Sequence, residues 1–192
     1  MNLLMGGRND FTGRILYDND EIRQISGQSL YDLVSLVQQN VFVFNSSIRE
    51  NITMFNDFGE NEVAKAIEMS GLSKFIEERG SDYMCGENGS GLSGGEKQRI
   101  SIARSLLRHT QVLLVDEATS ALDSETASHV TGSILNIKDI TRIIVTHRLE
   151  ESQLRKYDSI IAIKNGKIEE DGTFDELMKR KGYFYSLYNV SQ

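Results

Sequence analysis

The run Val112-Leu113-Leu114-Val115-Asp116-Glu117-Ala118-Thr119-Ser120-Ala121-Leu122-Asp123 constrains this chain more than any other segment. Four apolar residues in unbroken succession describe a strand buried on both faces, and such strands belong to parallel sheets covered by helices. Two carboxylates close the run where open α/β sheets place their ligands, outside the carboxyl ends of the strands. A solvent-facing strand end would explain an acidic pair alone. Nine specified identities from Val115 to Asp123, each expected about once in fifteen positions, are not a chance match.

The rest of the chain supports the same class. Apolar periodicity and turn signals predict a short strand over 14–17, a helix over 29–36, and extended structure at Val37 and over 41–44. Helices are predicted over 47–53, 60–70 and 73–79, then a glycine-rich loop over 86–95 and a helix over 94–108. Beyond this helical lobe the order becomes strand 112–115, helix 124–137, strand 142–145, a helix near 149–154 and strand 159–163. Asn165-Gly166 predicts a hairpin, followed by helices over 173–181, capped by Thr173, and 183–188. Met1–Met5 reads as the last turn of a helix closed by Gly6 and Gly7. With no proline-rich, repetitive or low-complexity boundary, residues 1–192 are expected to form one partial domain. Its helical lobe covers about 45–108 and its α/β core begins at about 109.

Composition narrows the function. The formal charge of -7 is spread without a basic stripe, which argues against a nucleic-acid partner. One cysteine, Cys85, forms no intrachain disulfide and suits a reducing, cytoplasmic compartment. No apolar run approaches the roughly 20 residues of a transmembrane helix.

The chemistry at the acidic strand end follows from its residue types. An aspartate there can hold Mg²⁺ against phosphates, and the next carboxylate can orient or deprotonate an attacking water. Asp116 is thereby assigned the metal and Glu117 the catalytic role. A second motif, Leu92-Ser93-Gly94-Gly95-Glu96-Lys97-Gln98-Arg99, sets two glycines at a helix start, where free backbone N–H groups and the helix dipole favour an anion. Ser93 and Glu96 make a capping box, which accounts for those two residues but not for Gly94-Gly95. Each glycine costs about 1 kcal/mol of helix stability relative to alanine, so the pair predicts a close visitor, a phosphate.

With both motifs in this order the chain resembles the ABC ATPase family, whose Leu-Ser-Gly-Gly-Gln signature is matched except for Glu96 in the last place. The resemblance implies a P-loop-NTPase-like α/β fold, a mostly parallel sheet flanked by helices with an inserted helical lobe. It implies ATP and Mg²⁺ as ligands and ATP hydrolysis coupled to transport. By the same resemblance Gln39 corresponds to the glutamine that senses the γ-phosphate and shares in metal binding, although Gln38 stands where a proline is common. His147, after Ile144-Val145-Thr146, corresponds to the switch histidine. Ser120–Asp123 matches the loop that contacts the second ATP-binding domain. The nucleotide contacts implied are therefore Gln39, Ser93, Gly94, Gly95, Glu96 and Asp123, with Glu117 and His147 catalytic and Asp116 and Gln39 at the metal. The stretches 42–52 and 86–89 resemble the exporter branch. The implied partners are transmembrane domains, fused or separate, and a second ATP-binding domain arranged head to tail, at the cytoplasmic face of a membrane.

The family's G-x-x-x-x-G-K-[ST] phosphate loop does not occur in these 192 residues; the Gly166-Lys167 pair belongs to the expected hairpin. Met1-Asn2-Leu3-Leu4 is similar to the helix that follows that loop, so the expectation is an N-terminally truncated domain lacking the loop and the strands before it. Two readings stand beside the transporter: a non-transport ABC ATPase, and a catalytically silent module kept for dimerisation.

Overall fold

A computed structural model describes residues 1–8, 10–38 and 41–191. The chain gathers into two compact units, Met1–Ser133 with Ile137–Val145, and Ile134–Asn136 with Thr146–Gln192.

The first unit opens on a helical turn that ends as the glycines require. Gly6 takes φ +66° and its amide donates to Leu3 O, while the Gly7 amide reaches Asn2 O, the paired bonds of a Schellman stop. A hairpin of β1 (Leu16–Tyr17) and β2 (Asp20–Glu21) follows. Next comes α1 (Gly27–Leu33), capped by the Ser26 side chain, which accepts from the Ser29 amide. The helix expected over 29–36 ends at Leu33, and Val34–Val37 instead forms strand β3. Pairing with an apolar parallel neighbour overrides the local helical spacing there. The stretch 41–44, expected to be extended, joins no strand.

Among the described residues, β3, β4 (Val112–Asp116) and β5 (Thr141–Val145) form a parallel sheet in that order. The register aligns Val37 with Val115 and Asp116 with Val145, so the carboxyl ends of the three strands share one edge. Val34, Val112 and Leu114 bury one face of the sheet with Ile22 and Leu30. Leu113 and Val115 alternate to the other face and are equally buried, which is what the unbroken apolar run predicts. Strand β5 departs from that prediction. Its Ile143 and Val145 are 40% and 41% exposed, because β5 is an edge strand among the described residues.

The helical lobe lies in sequence between β3 and β4. It comprises α2 (Ile48–Thr53), α3 (Glu60–Met69), α4 (Ser73–Arg79) and α5 (Gly94–Leu107). Its core includes Ile48, Ile52, Leu72, Phe75, Ile100 and Ala103. The polar Asn51 is fully buried here and fully engaged: its Oδ1 accepts from the Phe44 amide at 2.8 Å and its Nδ2 donates to Phe44 O at 3.0 Å. Arg104 completes the network, donating to Asn51 O at 2.6 Å, Asn51 Oδ1 at 2.7 Å and Phe42 O at 2.6 Å. Burial lowers the Arg104 pKa and raises that of the neighbouring Cys85 thiol. The helix α6 (Ser124–Leu135) supplies the crossover that parallel β4 and β5 require.

In the second unit, β6 (Ile160–Lys164) and β7 (Lys167–Gly172) form an antiparallel hairpin. Asn165 and Gly166 both take positive φ, as an Asn-Gly type I′ turn demands. Helix α7 (Glu151–Leu154) precedes the hairpin, and α8 (Phe174–Arg180) and α9 (Tyr183–Ser191) follow it. Thr173 caps α8 in a full capping box with Glu176. Leu154, Ala162, Phe174, Leu177 and Phe184 make the core of this unit.

Candidate functional site

The carboxyl edge of the sheet carries the acidic pair. Asp116 is the last residue of β4, and its half-buried side chain lines an open cleft of about 490 Å³ with Met1, Asn2, Leu3, Arg8, Asp10 and Phe11. Arg8 and Asp10 pair across 2.8 Å at its rim. Among the described residues no group of three or more His, Cys, Asp or Glu could enclose a metal ion. With Asp10 paired to Arg8, the carboxylate of Asp116 on an open cleft fits Mg²⁺, which keeps waters and substrate phosphates as ligands instead of requiring an all-protein cage.

Glu117 turns the chain away from the sheet in the left-handed region, at φ +49°. For a residue with a Cβ that conformation is costly and persists only where surrounding contacts over-determine it. Those contacts are visible: the Glu117 amide donates to Val145 O at 3.0 Å, and the Glu117 carbonyl accepts from the Ser120 amide at 3.1 Å and from Gln98 Nε2 at 3.2 Å. The Oε1 of Gln98 in turn accepts from the Ala121 amide at 3.1 Å. Two backbone groups of opposite kind thus determine which way the amide of Gln98 faces.

The second motif begins α5. Ser93 is its N-cap: Glu96 N donates to Ser93 Oγ at 3.3 Å, and Ser93 N donates to Glu96 Oε2 at 2.6 Å. Glu96 therefore completes the capping box. The two glycines serve different ends. A Cβ on Gly95 would lie 3.1 Å from Ala121 O and 3.4 Å from Leu122 Cδ2, so this glycine admits the chain's own loop and needs no phosphate to account for it. A Cβ on Gly94 would meet, among the described residues, only the Ala121 methyl at 4.0 Å. The packing against Ala121 is thus a reason for a glycine at 95 that stands beside the close visitor expected for the pair.

Asp123 caps α6, its Oδ1 accepting from the Thr126 amide at 2.9 Å. That bond, with a smaller contribution from the Arg99 charge, holds the carboxyl below the usual aspartate range. Of the residues singled out from sequence, Asp116, Glu117, Ser93, Gly94, Gly95, Glu96 and Asp123 lie in the first unit, and contacts from α5 to 117–122 bring the two motifs together. His147 belongs to the second unit, two residues after β5. Gln39 lies outside the described residues. Sequence reasoning missed Gln98, only 2% exposed, and Arg104. A polar residue on the buried stripe of a helix was the available signal for both.

A parallel sheet with an acidic pair at its carboxyl edge, joined to a glycine-led helix from an inserted lobe, defines a nucleotide-binding α/β domain. A sequence model described as ABC transporter matches residues 1–120, and the chain belongs to that family. It is 40% identical to the ATP-dependent lipid A-core flippase of Desulfotalea psychrophila, over 93% of this chain and 32% of the flippase. It is also 40% identical to the beta-(1-->2)glucan export ATP-binding/permease protein NdvA of Agrobacterium fabrum, over 100% of this chain and 33% of that protein. A solved bacterial Atm1-family ABC exporter with ATP bound superposes with a TM-score of 0.91 at 33% identity, covering 98% of this chain and 34% of the exporter. The α/β fold with its parallel sheet is the one that exporter carries. The chain spans about a third of the length of the curated relatives it matches.

Proposed function

We propose that these residues form the part of an exporter's ATP-binding domain that supplies the hydrolytic carboxylates and the signature surface, coupling ATP hydrolysis to transport. The observation that carries the reading is Asp116, opening onto a cleft at the carboxyl end of β4 with Glu117 held directly after it.

In this reading Asp116 would hold Mg²⁺, which would supply positive charge against that developing on the phosphates. Glu117 orients a water and takes its proton as the water oxygen bonds to the γ-phosphorus and the bridging P–O bond breaks, leaving ADP and phosphate. Gln39 and His147 are assigned to sensing the γ-phosphate. Ser93, Gly94, Gly95 and Glu96 present the start of α5 to ATP held by a second domain arranged head to tail, with the Gly94 and Gly95 N–H groups that the capping box leaves over facing the phosphate. Asp123 belongs to the loop facing that domain. Transmembrane domains are the other partner, which puts the chain at the cytoplasmic face of a membrane; among the described residues no helix is long and apolar enough to cross one. Names of the relatives support export, and a lipid-linked or glycan cargo is the class they favour.

The test is calorimetry with Mg-ATP on this chain beside the same chain preceded by a G-x-x-x-x-G-K-S strand and turn. Binding by the loop-bearing form, with Glu117→Gln cutting turnover about 10²- to 10⁴-fold while ATP still binds, is the expected result. Turnover indifferent to Glu117→Gln overturns the assignment.

A further inference from the structure

We infer that Gln98 is a positioning residue for Glu117, joining the start of α5 and the 117–121 turn into one mechanical piece. The inference rests on the hydrolytic reading of Glu117 given above.

Three observations carry it. Gln98 is 2% exposed, so its amide has left water and must be satisfied inside the protein. Both of its bonds go to the backbone of the same short turn, Nε2 to Glu117 O and Oε1 from Ala121 N, and they bracket that turn at its two ends. Glu117, at the first of those ends, sits at φ +49°, a conformation that its own residue type disfavours and that the contact to its carbonyl helps hold. Removing the amide leaves the part-buried Glu117 carbonyl one bond short and the Ala121 N–H without its acceptor, and frees the turn to relax toward an ordinary conformation. The carboxylate of Glu117 then swings with its backbone. Gly95, one turn earlier on the same helix, seats Ala121 O closely, so helix and turn touch at the signature as well. In a head-to-tail pair the signature of a domain serves its partner's ATP while its Glu117 serves its own. Gln98 therefore makes a displacement at one site felt at the other.

The test uses the whole chain, both as it stands and carrying the phosphate loop described above, with Gln98→Met, which keeps length but loses both bonds, and Gln98→Glu, which keeps only the acceptor. On the chain as it stands, amide exchange at Ala121 should accelerate in Gln98→Met and stay protected in Gln98→Glu. On the loop-bearing chain, both variants should lower kcat about 100-fold with KM for ATP within about twofold, as displacement of a reacting group by about 1 Å does. Ile102→Val, which loosens the buried face of the same helix without touching the turn, should leave kcat near wild type. A kcat within about twofold of wild type in Gln98→Met overturns the inference, and so does an equal loss in Ile102→Val, which would mark the effect as general loosening. Glu117→Gln is measured alongside. If it leaves turnover unchanged the hydrolytic reading fails, and the exchange at Ala121 still judges the tie by itself.

Discussion

Gln98 and Glu117, 19 residues apart in sequence, meet through a side-chain amide and a backbone carbonyl at 3.2 Å. The contact joins the helix that begins with the signature to the residue that follows β4.

The two glycines of the signature should separate cleanly in stability. Gly95→Ala drives a Cβ to 3.1 Å of a backbone carbonyl that cannot swing aside, and the expected loss is about 1–3 kcal/mol. Among the described residues Gly94→Ala meets a methyl alone, at 4.0 Å, and should be neutral or gain up to about 1 kcal/mol. Urea unfolding of the two variants checks this, and equal losses would refute the division of roles.

Asp123 introduces a pH dependence at the start of α6. Its folded pKa is depressed, so the stabilisation is fully present above the unfolded pKa and is lost as pH falls through the folded one. Acid titration followed by amide exchange at Thr126 should show the cap opening below the ordinary aspartate range. Asp123→Asn keeps an acceptor for the Thr126 amide and should abolish that pH dependence while retaining most of the protection.

Arg104 anchors the 42–44 segment to the lobe through three bonds to oxygen atoms of Phe42 and Asn51. Arg104→Ala should cost about 3 kcal/mol, because bonds from a charged donor are lost and a buried acceptor on Asn51 is left short of a partner. Arg104→Lys should recover only part of it, since an ammonium cannot reproduce the guanidinium fork. Chemical unfolding of the pair measures both. A fully restored Lys variant would mean that charge alone suffices.

Strand β5, at an edge of the sheet among the described residues, presents Ile143 and Val145 on an exposed face, an arrangement that invites pairing with a second strand. Ile143→Lys should reduce concentration-dependent light scattering of the chain with a stability change within about 0.5 kcal/mol. Unchanged scattering would show that association, if any, uses another surface.

Much of the fold could be read where residue order records a local environment. Val112–Val115 announces burial on both faces, Asn165-Gly166 demands positive φ, and Ser93, Ser47 and Thr173 each stand three residues before the glutamate that completes a capping box. The same logic failed at 34–37, where apolar spacing fits a helix or a strand equally and only the parallel partner β4 decides. It failed at β5 too, whose Ile-Ile-Val run implies two covered faces.

The sequence by itself determined the acidic strand end, the signature helix with its caps, the α/β alternation and the family resemblance, because each depends on residues within about a dozen positions of one another. Tertiary structure alone decided that Gly95 makes room for Ala121, that Gln98 holds the turn of Glu117, and that Asp116 opens on a cleft with Met1–Leu3. Those are meetings of backbone groups brought together by the sheet register and the packing of α5. A backbone carbonyl has the same chemistry in every residue, so nothing in the order of side chains records which partner it will find.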